Sequence, residues 1–275
     1  MPILKRLTGL YESRGIRIST GLNPCHFGNL PQVNFTWFIK DGKSLTNGLG
    51  IAMQEVYFLE CLFATLRPKN LFIIGNSAGW SSFALALLNP SARVVAIDAG
   101  FDQNALEGLD FTNRVAREEG LDLRAVQAVS PDGVAAVAAS QMTGAIDFAL
   151  IDGYHTKEQV VRDFAALRPH ADPACVYVFH DVHEFKLQPG IEEIARLSGL
   201  SWQLLLGTPS GMAVVYDARL CPTLAEEIAP FGAHEEALAL LEAEVWKSRH
   251  RRRHRLRRSI AKRAGWLRDR LGLAK

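Results

Sequence analysis

LFIIGNSAGWSSFALALL, residues 71–88, sets the frame for the whole chain. Four apolar residues run into Gly75, a short loop reaches Gly79, and an apolar helical pattern follows, so the stretch reads as a strand, a tight turn and a helix. Outward from it, short runs rich in Val, Ile and Phe alternate with helical patterns from Leu71 to Asp217, the rhythm of a parallel sheet with helices on both faces. The runs predict strands at 71–75, 93–98, 123–129, 146–152, 175–180, 202–207 and 212–217, and helices at 79–88, 102–119, 132–141, 156–168 and 188–198. The last two runs, SWQLLLG and MAVVYD, are separated only by TPSG, too short for a crossover helix, so they pair antiparallel. The expected fold is a doubly wound α/β domain with seven strands, mostly parallel and closed by an antiparallel hairpin.

The flanks follow other patterns. Residues 1–50 carry Gly, Pro and Asn throughout with little sustained periodicity, and read as a cap segment. A helix over about 50–66 stops before Arg67-Pro68, and 51–217 forms the expected central domain. Helical stretches at 222–229 and 234–247 fill 218–246, ahead of a basic tail, 247–275. The chain has 275 residues, 48% apolar and 22% charged, enough to bury a substantial core. Its longest apolar run, Phe83 to Leu88, is far short of the roughly 20 residues of a membrane span, and the N-terminal stretch lacks the apolar run of a secretory signal. A cytoplasmic protein is expected. Cys25, Cys61, Cys175 and Cys221 form no C-x-x-C pair, so they read as core thiols and not as a zinc site or a disulfide framework.

The loop between Gly75 and Gly79 opens a helix, which makes it a cradle for an anion or cofactor. A dinucleotide fingerprint needs a glycine at the position of Ser77, where the backbone approaches a pyrophosphate. A G-x-x-x-G loop instead suits a cofactor without a diphosphate, such as S-adenosylmethionine; two glycines making a tight turn is the plainer reading. Asp98 ends the next strand, where an acid accepts hydrogen bonds from ribose hydroxyls, unless it caps the following helix. Ser130, just past the third strand, either touches an adenine edge or caps the helix expected at 132. Gly75, Asn76, Ser77, Gly79, Asp98 and Ser130 are therefore the candidate cofactor-binding residues.

The fourth strand ends in DGYH and the fifth in HDVH, which brings Asp152, His155, His180, Asp181 and His183 to the carboxyl edge of the sheet, where ligands bind in open α/β folds. So many titratable groups at two adjacent strand ends point to chemistry, because structure alone is satisfied more cheaply by apolar residues. His155 has the plainer option of capping the helix near Thr156, and His183 that of facing solvent. In the leading segment Asn23, His26, Asn34 and Trp37 either close over a substrate or simply pack, and Trp80 is either core or a wall of the cofactor site.

IIGNSAGWSS, AIDAG, DFALIDGYHTKEQVVRDFAAL and VYVFHDVHE, taken in that order, resemble the class I S-adenosylmethionine-dependent methyltransferases over about residues 50–217. The resemblance is greatest to the small O-methyltransferase-like group that includes macrocin and catechol-type O-methyltransferases and cephalosporin-hydroxylase-like proteins. It implies O-methylation of a small molecule or sugar, with Asp152, His155, His180 and Asp181 as catalytic residues. By position it also implies Asp152, His180 and Asp181 as ligands of a divalent metal ion; without a metal, His180 or His155 is the base. Two departures stand out: Ile73 replaces an acid usual two positions before the first glycine, and His180 brings nitrogen to a ligand set that magnesium prefers all-oxygen. A rival reaction on the same fold is that of a metal-dependent oxygenase or hydroxylase.

The charge of +2 conceals an asymmetry: 247–275 holds 13 Lys or Arg against the single acid Asp269, a charge of +12, which leaves 18 basic and 28 acidic residues elsewhere, or −10. Leu256, Ile260, Ala264, Leu267 and Leu271 would form an apolar stripe with Trp266 nearby, suited to an anionic membrane surface. On that reading the protein is peripheral to the membrane, or else a binding protein acting through its tail. Nucleic acid needs the charge but not the stripe, and no nucleic-acid-binding fold accompanies it.

Overall fold

The computed structural model describes residues 2–45 and 49–251. The chain divides into a unit ending at Gly232 and a second beginning at Ala233. The first opens with α1 (Ile3–Glu12), followed by a small antiparallel sheet of β1 (Arg17–Ser19), β2 (Trp37–Lys40) and β3 (Lys43–Ser44), and by α2 (Met53–Thr65). The alternating portion is β4 (Asn70–Ile74), α3 (Trp80–Leu88), β5 (Arg93–Asp98), α4 (Gln103–Glu118), β6 (Leu123–Gln127), α5 (Val134–Gln141), β7 (Ile146–Ile151), α6 (Lys157–Leu167), β8 (Ala171–Phe179) and α7 (Gln188–Ser198). β9 (Ser201–Leu205), β10 (Met212–Tyr216) and α8 (Leu224–Ile228) complete it.

Seven strands form one sheet in the order β6-β5-β4-β7-β8-β10-β9. The first five are parallel, and β10 lies antiparallel to both β8 and β9. This is the expected Rossmann-like fold with its closing hairpin, and its two-residue alternation sorts the core. Leu71, Ile73, Val94, Ala96 and Val178 face the layer of α1, α2 and α3. Phe72, Ile74, Val95, Ile97 and Phe179 face that of α5, α6 and α7. β4 is buried on both faces because it lies inside the sheet, between β5 and β7 and under both helix layers, which is why its sequence is a continuous apolar run. The chain order reverses between β4 and β7, so the ends of β4, β5 and β7 border the crevice where such sheets bind ligands.

Three readings are corrected. The leading segment is not without periodicity: Ile3, Leu7, Leu10 and Tyr11 form a buried stripe along α1, spaced one helical turn apart. β8 begins at Ala171, four residues before the expected start, because Pro173 sits where the β7–β8 register shifts and the ladder tolerates a missing N–H. The cysteines are not uniformly core: Cys175 is buried, Cys61 and Cys221 are half-buried and Cys25 is exposed. Among the described residues, no helix is long and apolar enough to cross a membrane. In the second unit, residues 235–251 are helical, with Trp246 stacked on His250. The proposed tail stripe, from Leu256 to Leu271, lies outside the described residues.

Candidate functional site

The glycine loop is made by backbone conformation. Gly75 has φ +99°, and a Cβ there would lie 2.0 Å from the Asp152 carbonyl oxygen, so only glycine lets β4 leave the sheet against the end of β7. Ser77 also adopts positive φ, and Gly79, at +83°, starts α3. The Asp98 carboxylate pins the loop: Oδ2 accepts the N–H groups of Asn76 (3.0 Å) and Ser77 (2.8 Å), and Oδ1 accepts that of Gly100 (3.0 Å). A carboxylate offers about four acceptor positions, so one remains for a ligand hydroxyl. Asp98 does not cap α4; Asp102 does, by accepting the Ala105 N–H. The Asn76 side chain is buried and engaged with Ser82 and Thr112, so this residue meets the crevice only through its backbone. Tyr11 donates its hydroxyl to the Ala78 carbonyl at 2.9 Å, clasping the loop from α1. Trp80, packed with Tyr11 and Phe38, belongs to the core.

The acid and histidine cluster is made by side chains. His180 is 5% exposed. Its Nε2 lies 2.9 Å from Glu55 Oε2, and its Nδ1 lies 3.1 Å from both Asp152 Oδ1 and Asp181 Oδ1, without hydrogen-bond geometry to either. His155 Nε2 lies 3.3 Å from Asp152 Oδ1 and 3.3 Å from Asp181 Oδ2. Asp181 holds φ +58°, a left-handed conformation that Asp tolerates better than most residues and that aims its carboxylate back at the ring. Thr156, not His155, caps α6, which leaves the imidazole available to the cluster. Asp152, His155 and Asp181 each offer one donor atom, all within 4.8 Å of one another, a set able to take a divalent cation. The buried Nδ1 of His180 faces two of those three groups.

The charges in this cluster support one another. Burial alone would raise the Glu55 carboxyl, but the charge of His180 and hydrogen bonds from His180, Ser210 and Ala52 hold it below its ordinary range. Asp152 is likewise held well down by His180 and His155 against its burial. Burial would lower both histidines, but Asp152 and Glu55 raise His180 well above its ordinary value, and Asp152 and Asp181 raise His155. Carboxyl groups and imidazole rings thus stabilise one another in a shielded crevice, where Coulomb forces are stronger than in water.

Several residues singled out in the sequence lie elsewhere or do other work. Ser130 does not cap α5; it donates to Asp163, which also accepts from Gln159. Asp163 is raised by burial, an effect those hydrogen bonds only partly offset. His183 and His26 are exposed, Asn23 accepts the Cys25 N–H, and Trp37 donates to the Gln32 carbonyl. Sequence reasoning missed Glu55 and Ser210. Glu55 was legible in principle: a lone acid at 55 on the stripe Val56, Leu59, Leu62 of α2 is out of place unless partnered. Phe101, 87% exposed just beyond Asp98, and Phe185, 50% exposed and stacked on His155 at 4.6 Å, add apolar surface beside the two halves.

Residues 72–182 match the family described as "Methyltransferase domain". Among solved structures, a candidate caffeoyl-CoA O-methyltransferase from Staphylococcus aureus is 15% identical with a TM-score of 0.51, covering 61% of this chain and 84% of its own. The O-methyltransferase from Bacillus cereus, in complex with SAH, is 18% identical with a TM-score of 0.49, covering 61% and 82%. A search of curated proteins gave no match. The chain thus carries a class I methyltransferase fold, with the family match spanning β4 to the end of the DV pair that follows β8.

Proposed function

We propose that the protein transfers a methyl group from S-adenosylmethionine to an oxygen of a small-molecule or sugar acceptor. The observation that carries this reading is the contact of the two half-sites: Gly75 of the loop abuts the backbone of Asp152, the first acid of the cluster. A donor cradled by the loop and an acceptor held by the acids would then meet within one residue's reach. The loop fits this cofactor. Asp98 keeps one acceptor position for a ribose hydroxyl, the main chain at Gly75 and Ser77 is half-buried and open to a ligand, and Phe101 offers a ring face to the base. Bound there, S-adenosylmethionine supplies an electrophilic methyl on a sulfonium, whose positive charge suits a crevice lined by carboxyl groups.

The acceptor hydroxyl must lose a proton as its oxygen attacks. Asp152 and Asp181 orient it, and His155, half-buried at the mouth, gives its own proton to solvent and then takes up that of the acceptor. A divalent cation fits the same donors, Asp152, His155 and Asp181, and would polarise the acceptor oxygen.

The test combines calorimetric titration with a transfer assay using labelled S-adenosylmethionine and a panel of catechols, hydroxybenzoates and sugars. S-adenosylmethionine should bind in preference to NAD, Asp98→Ala should weaken it by about 1–3 kcal/mol, and Asp181→Ala should abolish transfer while sparing cofactor binding. NAD preferred, or oxygen uptake without methyl transfer, would overturn the assignment, the latter in favour of an oxygenase.

A further inference from the structure

We propose that Glu55 is the positioning residue of the acceptor site. By accepting the Nε2–H of His180 it turns Nδ1 of that ring toward Asp152 and Asp181, making a mixed nitrogen and oxygen centre for a transition-metal divalent cation and not for magnesium. The inference rests on reading the cluster as the acceptor site.

Glu55 has no freedom left. It is 0% exposed. Oε1 accepts the Ser210 N–H at 3.0 Å and the Ser210 hydroxyl at 2.5 Å, while Oε2 accepts the Ala52 N–H at 2.7 Å and faces His180 Nε2 at 2.9 Å. Four donors on one carboxylate fix its rotamer, so the ring it holds is fixed too. Capping α2 requires only the Ala52 contact; the rest of the arrangement serves His180 and the hairpin turn that carries Ser210.

What the ring is held for follows from its other nitrogen. Nδ1 is buried and makes no hydrogen bond, although carboxylate oxygens of Asp152 and Asp181 lie 3.1 Å away. Nδ1 and the two acids thus stand within ion-pair distance, and His155 Nε2 lies 3.3 Å from each acid as well, so four groups able to ligate a cation adjoin one another. Imidazole nitrogen suits manganese, iron, cobalt or zinc, whereas magnesium prefers oxygen and retains its water. A ligating histidine almost always gives its second N–H to a carboxylate or carbonyl, which orients the ring and raises its basicity. Glu55 occupies that place, 125 residues away in sequence. A ligating nitrogen must be free of its proton, so cation uptake sends the Nδ1 proton of His180 to solvent.

The experiment uses the full chain stripped with chelator, titrated calorimetrically with Mn2+ and with Mg2+, and with Co2+ followed by visible absorption. Mn2+ should bind at least about tenfold more tightly than Mg2+, with Co2+ giving the spectrum of a nitrogen-containing ligand set. Glu55→Gln should weaken Mn2+ by about 10–100-fold, and His180→Asn, which replaces the nitrogen by an amide oxygen, should close the gap between Mn2+ and Mg2+. Equal or tighter Mg2+ binding, no Mn2+ binding, Glu55→Gln with wild-type Mn2+ affinity, or His180→Asn with wild-type metal selectivity each overturn the proposal. If Glu55→Gln does not fold, wild-type selectivity and His180→Asn decide. Titration with S-adenosylmethionine in parallel separates the two readings: its failure with metal selectivity intact breaks the methyltransferase assignment and not the role of Glu55.

Discussion

The two halves of the crevice are built by different means. The glycine loop is local, running from Gly75 to Gly79 with Asp98 and Tyr11 as distant anchors, and its shape is held by main-chain conformation and by bonds to main-chain groups. The acid and histidine cluster is assembled from α2, from the ends of β7 and β8 and from the β9–β10 turn, and is held by side chains that neutralise and satisfy one another. A backbone-built site depends on what cannot be added, namely a Cβ. One built from side chains depends on what cannot be removed.

That contrast can be broken or sharpened by substitution. The largest effect is expected for Glu55→Ala, which leaves His180 and both Ser210 donors buried without their acceptor; loss of one partner of a buried ion pair costs about 3–5 kcal/mol, readable by chemical denaturation. In a double-mutant cycle with His180→Ala the two costs should be strongly non-additive, whereas additive costs would show the cluster to be a set of independent contacts. Gly75→Ala comes next at about 3 kcal/mol, because its Cβ collides with main chain that cannot swing away. It is also the substitution that breaks the contrast, since it should shift Asp152 and impair metal binding as well as cofactor binding.

The pH dependence tests the cluster alone. Glu55 and Asp152 sit below their ordinary range, so their contribution to stability is fully present above that range and is lost as pH falls through the lowered values. His180 and His155 sit above theirs, so their contribution is fully present below about 6.5 and is lost as pH rises through the raised values. Thermal melts of wild type against Glu55→Ala should therefore differ most between about pH 5 and 6.5 and converge on either side. Smaller still, Ser130→Ala should cost about 1–2 kcal/mol through the loss of its bond to buried Asp163, with cofactor affinity unchanged if that serine is structural. His183→Ala, at an exposed side chain, should stay within about 0.5 kcal/mol.

How much was legible in the sequence follows the same division. The central strands could be read because burial on both faces demands uninterrupted apolar runs, and the antiparallel hairpin because four residues of turn permit nothing else. Gly75 and Asp98 could be read because a turn at a strand end leaves its mark in adjacent residues. The pairing of Glu55 with His180 and Ser210 could not. Nothing near HDVH indicates an acid in α2 or a serine in the last hairpin, since pairings over such separations are set by how layers pack and not by local pattern. The amphipathic α1 was obscured for a simpler reason, as a ten-residue stripe is hard to distinguish within a segment otherwise rich in Gly, Pro and Asn.

The bond from the Ser210 N–H to Glu55 spans 155 residues. A contact that long closes a loop whose entropy must be overcome before the contact contributes anything, and parallel sheets with such connections fold slowly for that reason. The glycine loop can take shape once β4, β5 and β7 have joined. Glu55 finds its full set of donors only when the final hairpin has docked against β8. That order of assembly is open to pulsed hydrogen exchange during refolding: the Ser210 amide, sealed beneath Glu55, should become protected later than the amides of β4 and β5.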